Sequence, residues 1–266
     1  MTPYNMKVHV DSTLLEFDPK TIKAGNIVLI IGKRNTGKSF LIRDLMYYQR
    51  QIPCGFVIAP TSDVNDFFHL MLPKKYIRQQ YDDSLLQKLF ARQQQAINEK
   101  WENPEAFLIM DDCMSYSKRW DKIEEIRKMF CNGRWYKILM IMTSQEVMGF
   151  PPLLRQNADY VFISKNNNQN LRKNLYQHYA SVFPHQSAFN IAMDEYTENY
   201  GYIVINNMST KNDLQSQAFW YRAKKREPYK LLGDAFWAFQ DKLPNEERMY
   251  QTPHGRVTIR RPDAKQ

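Results

Sequence analysis

The sequence predicts an α/β fold: a mostly parallel central sheet flanked by helices, with late β additions. Two observations lead to it. Short continuous apolar runs, such as Ile27 to Ile31 and Ile138 to Met142, have the length and composition of strands covered on both faces. Between such runs lie segments whose apolar residues recur three and four apart, the period of a helix resting on a sheet. Alternation of the two element types is the signature of a parallel sheet.

The elements follow in order. Val8, Val10, Leu14, Leu15 and Phe17 alternate with polar residues and read as short strands or an arm, residues 1–24. Ile27 to Ile31 is the first buried strand, and Leu41, Leu45 and Tyr48 mark the helix after it. Gly55 to Ala59 is a strand ended by Pro60. Asp83 to Lys100 reads as a long helix with Leu86, Leu89, Phe90 and Ile97 inward. Ala106 to Met110, Lys137 to Thr143 and Tyr160 to Ile163 are further strands, with a helix over Ile123 to Phe130 stopped at Asn132-Gly133. Lys165 to Lys173 is polar and amide-rich, a loop or a helix start. Tyr202 to Ile205 and Ala218 to Tyr221 read as a late hairpin. The main domain is expected over residues 25–242. The tail, 243–266, holds prolines and Arg256, Arg260 and Arg261 and is expected to be loosely ordered.

Composition bounds the function. Hydrophobic residues at 43% and charged residues at 24% are ordinary globular usage, and 266 residues can bury a sizeable core. The net charge of +9 favours phosphate-rich partners such as nucleic acid. Cys54, Cys113 and Cys131 show no C-x-x-C spacing, so neither a zinc site nor a disulfide framework is expected. The apolar runs are too short to span a bilayer, and no signal segment is recognised at the N-terminus.

Gly32-Lys33-Arg34-Asn35-Thr36-Gly37-Lys38-Ser39 matches G-x-x-x-x-G-K-[ST], the phosphate-binding loop. Its glycines let the backbone curl so that N–H groups face the phosphates. Lys38 is placed to reach the β- and γ-phosphates, and Ser39 to bind Mg²⁺. The loop lies between a buried strand and an amphipathic helix, the setting this chemistry needs, with ATP as the expected ligand. In enzymes with this loop, a strand beside it ends in an acid that holds the Mg²⁺ shell. Asp111, after Phe107 to Met110, takes that place, and Asp112 is the candidate general base. Gln145 closes the strand from Lys137; it reads either as a turn residue or as a γ-phosphate sensor. Arg134 and Arg155 flank that strand as candidates for an arginine finger supplied in trans, or as ordinary ion-pair residues.

These pieces together resemble the DNA-packaging ATPases of large eukaryotic DNA viruses (poxvirus type), within the FtsK/HerA superfamily of P-loop NTPases with a RecA-like sheet. The resemblance rests on Gly32 to Ser39, Leu108 to Asp112, Asn132-Gly133-Arg134-Trp135, Ile141 to Gln145, Arg155 to Asp159 and Ala218 to Ala223, and runs from about Val8 to about Leu232. Much of the superfamily has Asp-Glu at Asp111-Asp112, and Gly-Arg-His is frequent where Gly133-Arg134-Trp135 stands. The resemblance implies a Mg²⁺-dependent ATPase forming a homo-oligomeric ring, pentamer or hexamer, around double-stranded DNA. It implies capsid vertex or portal proteins as partners and the host cytoplasm, in a virus factory, as the setting. It makes Gln145 the sensor, Arg155 the first choice for the finger and Arg134 the second. Candidate DNA-facing groups are Lys165 to Asn170 with Arg172-Lys173, Lys118-Arg119-Trp120, and Lys74 to Arg78, each of which also reads as a solvated basic face. Competing classes are a terminase-type subunit, a small-molecule P-loop kinase, a helicase-type translocase and a slowly hydrolysing assembly protein. After Tyr221 little sequence is left for a nuclease domain.

Overall fold

A computed structural model of the chain describes residues 13–60, 67–113, 120–241, 248–252 and 255–259. Two compact units are separated at Leu232. The first contains β1 (Leu15–Glu16), β2 (Ile27–Ile31), α1 (Lys38–Tyr47), β3 (Cys54–Ile58), β4 (Ile77–Arg78), α2 (Asp83–Asn98), β5 (Ala106–Met110), α3 (Glu124–Asn132), β6 (Ile138–Ser144), α4 (Pro152–Gln156), β7 (Tyr160–Ser164), α5 (Gln169–Tyr179), α6 (Gln186–Tyr196), β8 (Gly201–Asn206), α7 (Leu214–Gln217) and β9 (Ala218–Arg222). The second contains α8 (Asp234–Asp241) and an antiparallel pair, β10 (Arg248–Thr252) with β11 (Gly255–Ile259). β10 and β11 lie within the expected tail, and Arg256 lies in β11. Arg260 and Arg261 lie outside the described residues, as do Val8 and Val10.

Nine strands form one sheet in the order β1-β9-β8-β7-β2-β6-β5-β3-β4. All pairings are parallel except those of β8, which runs against β7 and β9. The sheet is therefore mostly parallel, as predicted. Every residue of β2, β5, β6 and β7 is buried, which explains their unbroken apolar sequences: helices cover both faces. Residues read as an N-terminal arm belong to this core. Leu14 and Phe17 are buried, and Leu15 pairs with Phe219 at the sheet edge.

The acid-bearing strand was expected beside the loop strand. Instead β6 lies between β2 and β5, with Ile31 opposite Ser144 and Met110 opposite Met142. The ends of three strands thereby converge: the loop after β2, Gln145 after β6 and the Asp pair after β5.

The helix after the loop is also anchored from behind. Asp44 of α1 is fully buried and accepts from Tyr221 Oη, Lys224 N and Arg226 Nε. These three donors satisfy a carboxylate that would otherwise be costly to bury. They fasten α1 to β9 and the segment after it.

Candidate nucleotide site

Gly32 continues β2 by donating its N–H to Ser144 O at 3.0 Å. The chain then turns through left-handed Asn35 (φ 60°) and Gly37 (φ 84°) into α1. Gly32 admits no side chain: a Cβ there would meet Ser164 Oγ at 2.2 Å and Thr36 Oγ1 at 2.5 Å. Gly37 is the N-cap of α1 and contributes no side-chain bond, so the helix presents its first amides without a side-chain cap. Such a terminus attracts an anion through free N–H groups and the helix dipole.

Lys38 is buried, and its ammonium donates to Gly32 O and Lys33 O, both at 2.9 Å. The lysine thus folds back on its own loop. Burial lowers its pKa, and the carboxylates of Asp111 and Asp112 counter that effect.

Ser39 Oγ donates to Asp111 Oδ2 at 2.8 Å, and Thr143 Oγ1 donates to Asp111 Oδ1 at 2.7 Å. Burial pushes the Asp111 carboxyl above its usual range against these hydrogen bonds and the Lys38 charge. Thr143 Oγ1 also accepts from Asp112 N at 2.9 Å. One hydroxyl therefore positions both acids. Asp112 sits at φ 54°, a left-handed conformation that costs a non-glycine residue energy and is concentrated at functional sites. Gln145 Nε2 donates to Asp112 Oδ1 at 2.5 Å, and Arg34 Nε donates to Gln145 Oε1 at 3.3 Å. The loop is thus linked to the Asp pair through the β6 end.

Of the residues expected to work together, Lys38, Ser39, Asp111, Asp112 and Gln145 assemble, joined to Arg34. The two arginines do not join them. Arg134 pairs with Asp159 at the start of β7, and Asp159 Oδ2 accepts from Ile27 N at 2.8 Å and Asn26 Nδ2 at 3.2 Å. That cluster lies at the opposite end of β2 from the loop. Arg155, on α4, donates to Phe150 O at 3.1 Å and lies 5.7 Å from the Tyr179 ring centroid.

The basic segments divide. Arg172 is buried, donating from Nε to Asn166 O and from Nη2 to Asp194 at 2.5 Å, so it ties α5 to α6 instead of facing a polyanion. Asn168 caps α5 through Leu171 N. Lys118 and Arg119 lie outside the described residues, and Trp120 is buried. Lys74, Lys75 and Arg78 are exposed on and beside β4.

Two contributors carry no role in the sequence analysis. Thr143 is a polar residue ending an apolar strand, a visible signal without a visible partner. Tyr202 donates to Thr36 O at 2.7 Å, bracing the loop from β8.

No family model matches the sequence. A protein of Acanthamoeba polyphaga mimivirus is 37% identical over 222 residues, covering 80% of this chain and 78% of that one. A protein of Invertebrate iridescent virus 6 is 37% identical over 193 residues, covering 71% and 73%. Among solved structures, the DNA-packaging ATPase B204 of Sulfolobus turreted icosahedral virus superposes with a TM-score of 0.54 at 18% identity, covering 77% of this chain and all of that one. The genome packaging NTPase B204 of Sulfolobus turreted icosahedral virus 2, in complex with AMPPCP, gives 0.53 at 15%, covering 78% and 100%. At these identities the likeness is one of fold.

Proposed function

We propose that the chain, which belongs to one family with the mimivirus and iridescent-virus proteins, is an FtsK/HerA-type, Mg²⁺-dependent P-loop ATPase that drives double-stranded DNA into a preformed capsid. The observation that carries the hydrolytic part is the convergence of Ser39 and Asp111 at 2.8 Å with Asp112 held alongside by Thr143 and Gln145.

The donor set fits Mg²⁺. A serine hydroxyl and a carboxylate converge on one point beside the phosphate loop, and among the described residues no group of three or more His, Cys, Asp or Glu forms an all-protein cage. Mg²⁺ is held in this way, by one or two protein oxygens plus substrate phosphates. When bound, it neutralises charge on the β- and γ-phosphate oxygens. The rest falls to the chain. Lys38 exchanges Gly32 O and Lys33 O for phosphate oxygens. The α1 amides bind the phosphate chain. Asp112 orients the attacking water and accepts its proton, and Gln145, released from Asp112, senses the γ-phosphate. Arg155 is our first choice and Arg134 our second for the finger that a neighbouring subunit contributes.

A homo-oligomeric ring, pentamer or hexamer, around DNA agrees with the net charge of +9. Capsid vertex or portal proteins are the further partners, and the virus factory in the host cytoplasm is the setting. Among the described residues no helix is long and apolar enough to cross a membrane.

ATPase activity is expected to rise with double-stranded DNA and the DNA affinity to fall as salt rises. Hydrolysis that ignores DNA over a range of lengths and salt concentrations would overturn the translocase reading and leave a nucleotide-gated assembly protein. A short linear duplex packaged into procapsids with ATP, and not with a non-hydrolysable analogue, tests packaging itself.

A further inference from the structure

We propose that Tyr200 is the platform on which the base of the bound nucleotide stacks, so that the site takes nucleoside triphosphates through an aromatic face as well as through the phosphate loop. The proposal rests on the nucleotide-binding reading above and goes beyond it by placing the other end of the ligand.

The turn before β8 carries the first observation. Gly201 N donates to Glu198 O at 2.9 Å, and the two residues between, Asn199 (φ 50°) and Tyr200 (φ 62°), are both left-handed. This is the pattern of a type I′ turn, whose third position favours glycine. A bulky tyrosine there is out of keeping with local preference, and such misfits concentrate at functional sites. The second observation is exposure. Tyr200 is 67% exposed, the most exposed large apolar side chain among the described residues, although aromatic rings stabilise a fold chiefly when buried. The third is position. A Cβ built on Gly37 would lie 3.4 Å from Tyr200 Cδ1 and 3.7 Å from its Cβ, so the ring stands against the loop at the start of α1.

The sheet order sets the direction of the ligand. Asp111, Asp112 and Gln145 end β5 and β6, on one side of β2. The γ-phosphate faces them. The triphosphate then runs along the loop and the nucleoside emerges on the other side of β2, where β7 and β8 lie. Tyr200 immediately precedes β8, and Tyr202 ties that strand to Thr36 O. Stacking on an aromatic ring tolerates every base, because every base has a π-face. ATP and GTP are therefore expected to bind with similar affinity.

The test compares Mg²⁺–ATP and Mg²⁺–tripolyphosphate binding to the full chain by calorimetry, for wild type, Tyr200→Phe and Tyr200→Gly. Glycine suits the left-handed turn, so Tyr200→Gly keeps or raises the thermal midpoint while removing the ring. Tyr200→Gly is expected to weaken ATP about tenfold and leave tripolyphosphate unchanged, and Tyr200→Phe to retain wild-type ATP affinity. Equal weakening of both ligands, or unchanged ATP affinity in Tyr200→Gly, overturns the proposal; unchanged affinity with altered assembly would instead make Tyr200 a subunit contact. Wild type that binds tripolyphosphate but gains nothing from the nucleoside also overturns it, with the phosphate site intact. Wild type that binds neither ligand overturns the nucleotide reading and this proposal together.

Discussion

The strands β2, β6 and β7 end in polar networks at both edges of the sheet, and the two networks differ in kind. At the N-terminal edge, Asp159 is buried and each of its neighbours has a settled partner: Ile27 N, Asn26 Nδ2 and the Arg134 guanidinium all donate to it. At the C-terminal edge the groups are at odds with their places. Lys38 spends its ammonium on the carbonyls of its own loop, Asp111 is buried with its pKa raised, and Asp112 is held left-handed. The first arrangement is at rest without a ligand. In the proposed reading, phosphate and a divalent cation complement the second. Strain and misplaced charge at one end, beside a relaxed network at the other end of the same strands, support placing the proposed chemistry at the C-terminal end.

Removing the lysine breaks this contrast most severely. Lys38→Ala is expected to lose nucleotide binding and to lower hydrolysis by about 10³-fold or more, since it removes the ammonium that the proposed function moves from Gly32 O and Lys33 O to the phosphates. Equilibrium dialysis with ATP checks it; retained binding would mean that the α1 amides suffice.

Asp112→Asn separates binding from chemistry. ATP affinity is expected to stay within about threefold, while single-turnover hydrolysis falls by about 10²- to 10⁴-fold, the usual range for a general base. Normal hydrolysis in this variant removes Asp112 from that role.

The same contrast explains what could be read in advance. β2, β5, β6 and β7 were legible because burial on both faces writes a continuous apolar run into the sequence. The loop and the Asp pair were legible because their spacing is local. The placing of β6 between β2 and β5 was not, since β2 meets β6 through pairings between residues more than a hundred positions apart. Everything that depends on that order was therefore hidden: Thr143 serving both acids, and Arg34 reaching Gln145. Arg172 misled for the opposite reason. Its sequence neighbours are amides and Lys173, but its partner Asp194 comes from α6, a helix whose Ala188, Phe189, Ala192 and Met193 spacing carried the signal without being assigned.

At the resting end, Asp159→Ala should act on stability alone. It takes from Ile27 N its side-chain acceptor and leaves Asn26 Nδ2 only the Met208 sulfur, a loss of about 3 kcal/mol, or roughly 6–12 °C in the melting temperature of a domain of this size. ATP affinity is expected to stay at the wild-type level. A large loss of nucleotide binding would show that the two edges are coupled through β2.

Asp111 provides a smaller effect with a defined sign. Its folded pKa is raised above the ordinary 3.8, so the stability it contributes is fully present below that value and lost as pH rises through the higher folded one. Asp111→Asn should flatten this decline in the nucleotide-free chain and shrink the thermal shift produced by Mg²⁺–ATP. Melting curves across acidic to neutral pH, with and without Mg²⁺–ATP, read both.

The smallest expected change tests the resting end hardest. The Arg134 side chain is 69% exposed, and an exposed ion pair is worth about 0–1 kcal/mol, so Arg134→Ala should shift melting by only a few degrees. Asp159 keeps its bonds to Ile27 N and Asn26 in that variant, which is why the loss is much less than for Asp159→Ala. Arginine fingers act on the rate instead, by about 10³- to 10⁵-fold. DNA-stimulated hydrolysis by assembled protein therefore separates the roles. With Arg155 as the finger, Arg134→Ala keeps near wild-type turnover and Arg155→Ala does not. If Arg134→Ala alone stops turnover while the fold melts almost unchanged, the exposed face of the relaxed network completes a neighbour's site, and the two edges of the sheet are two halves of one catalytic arrangement.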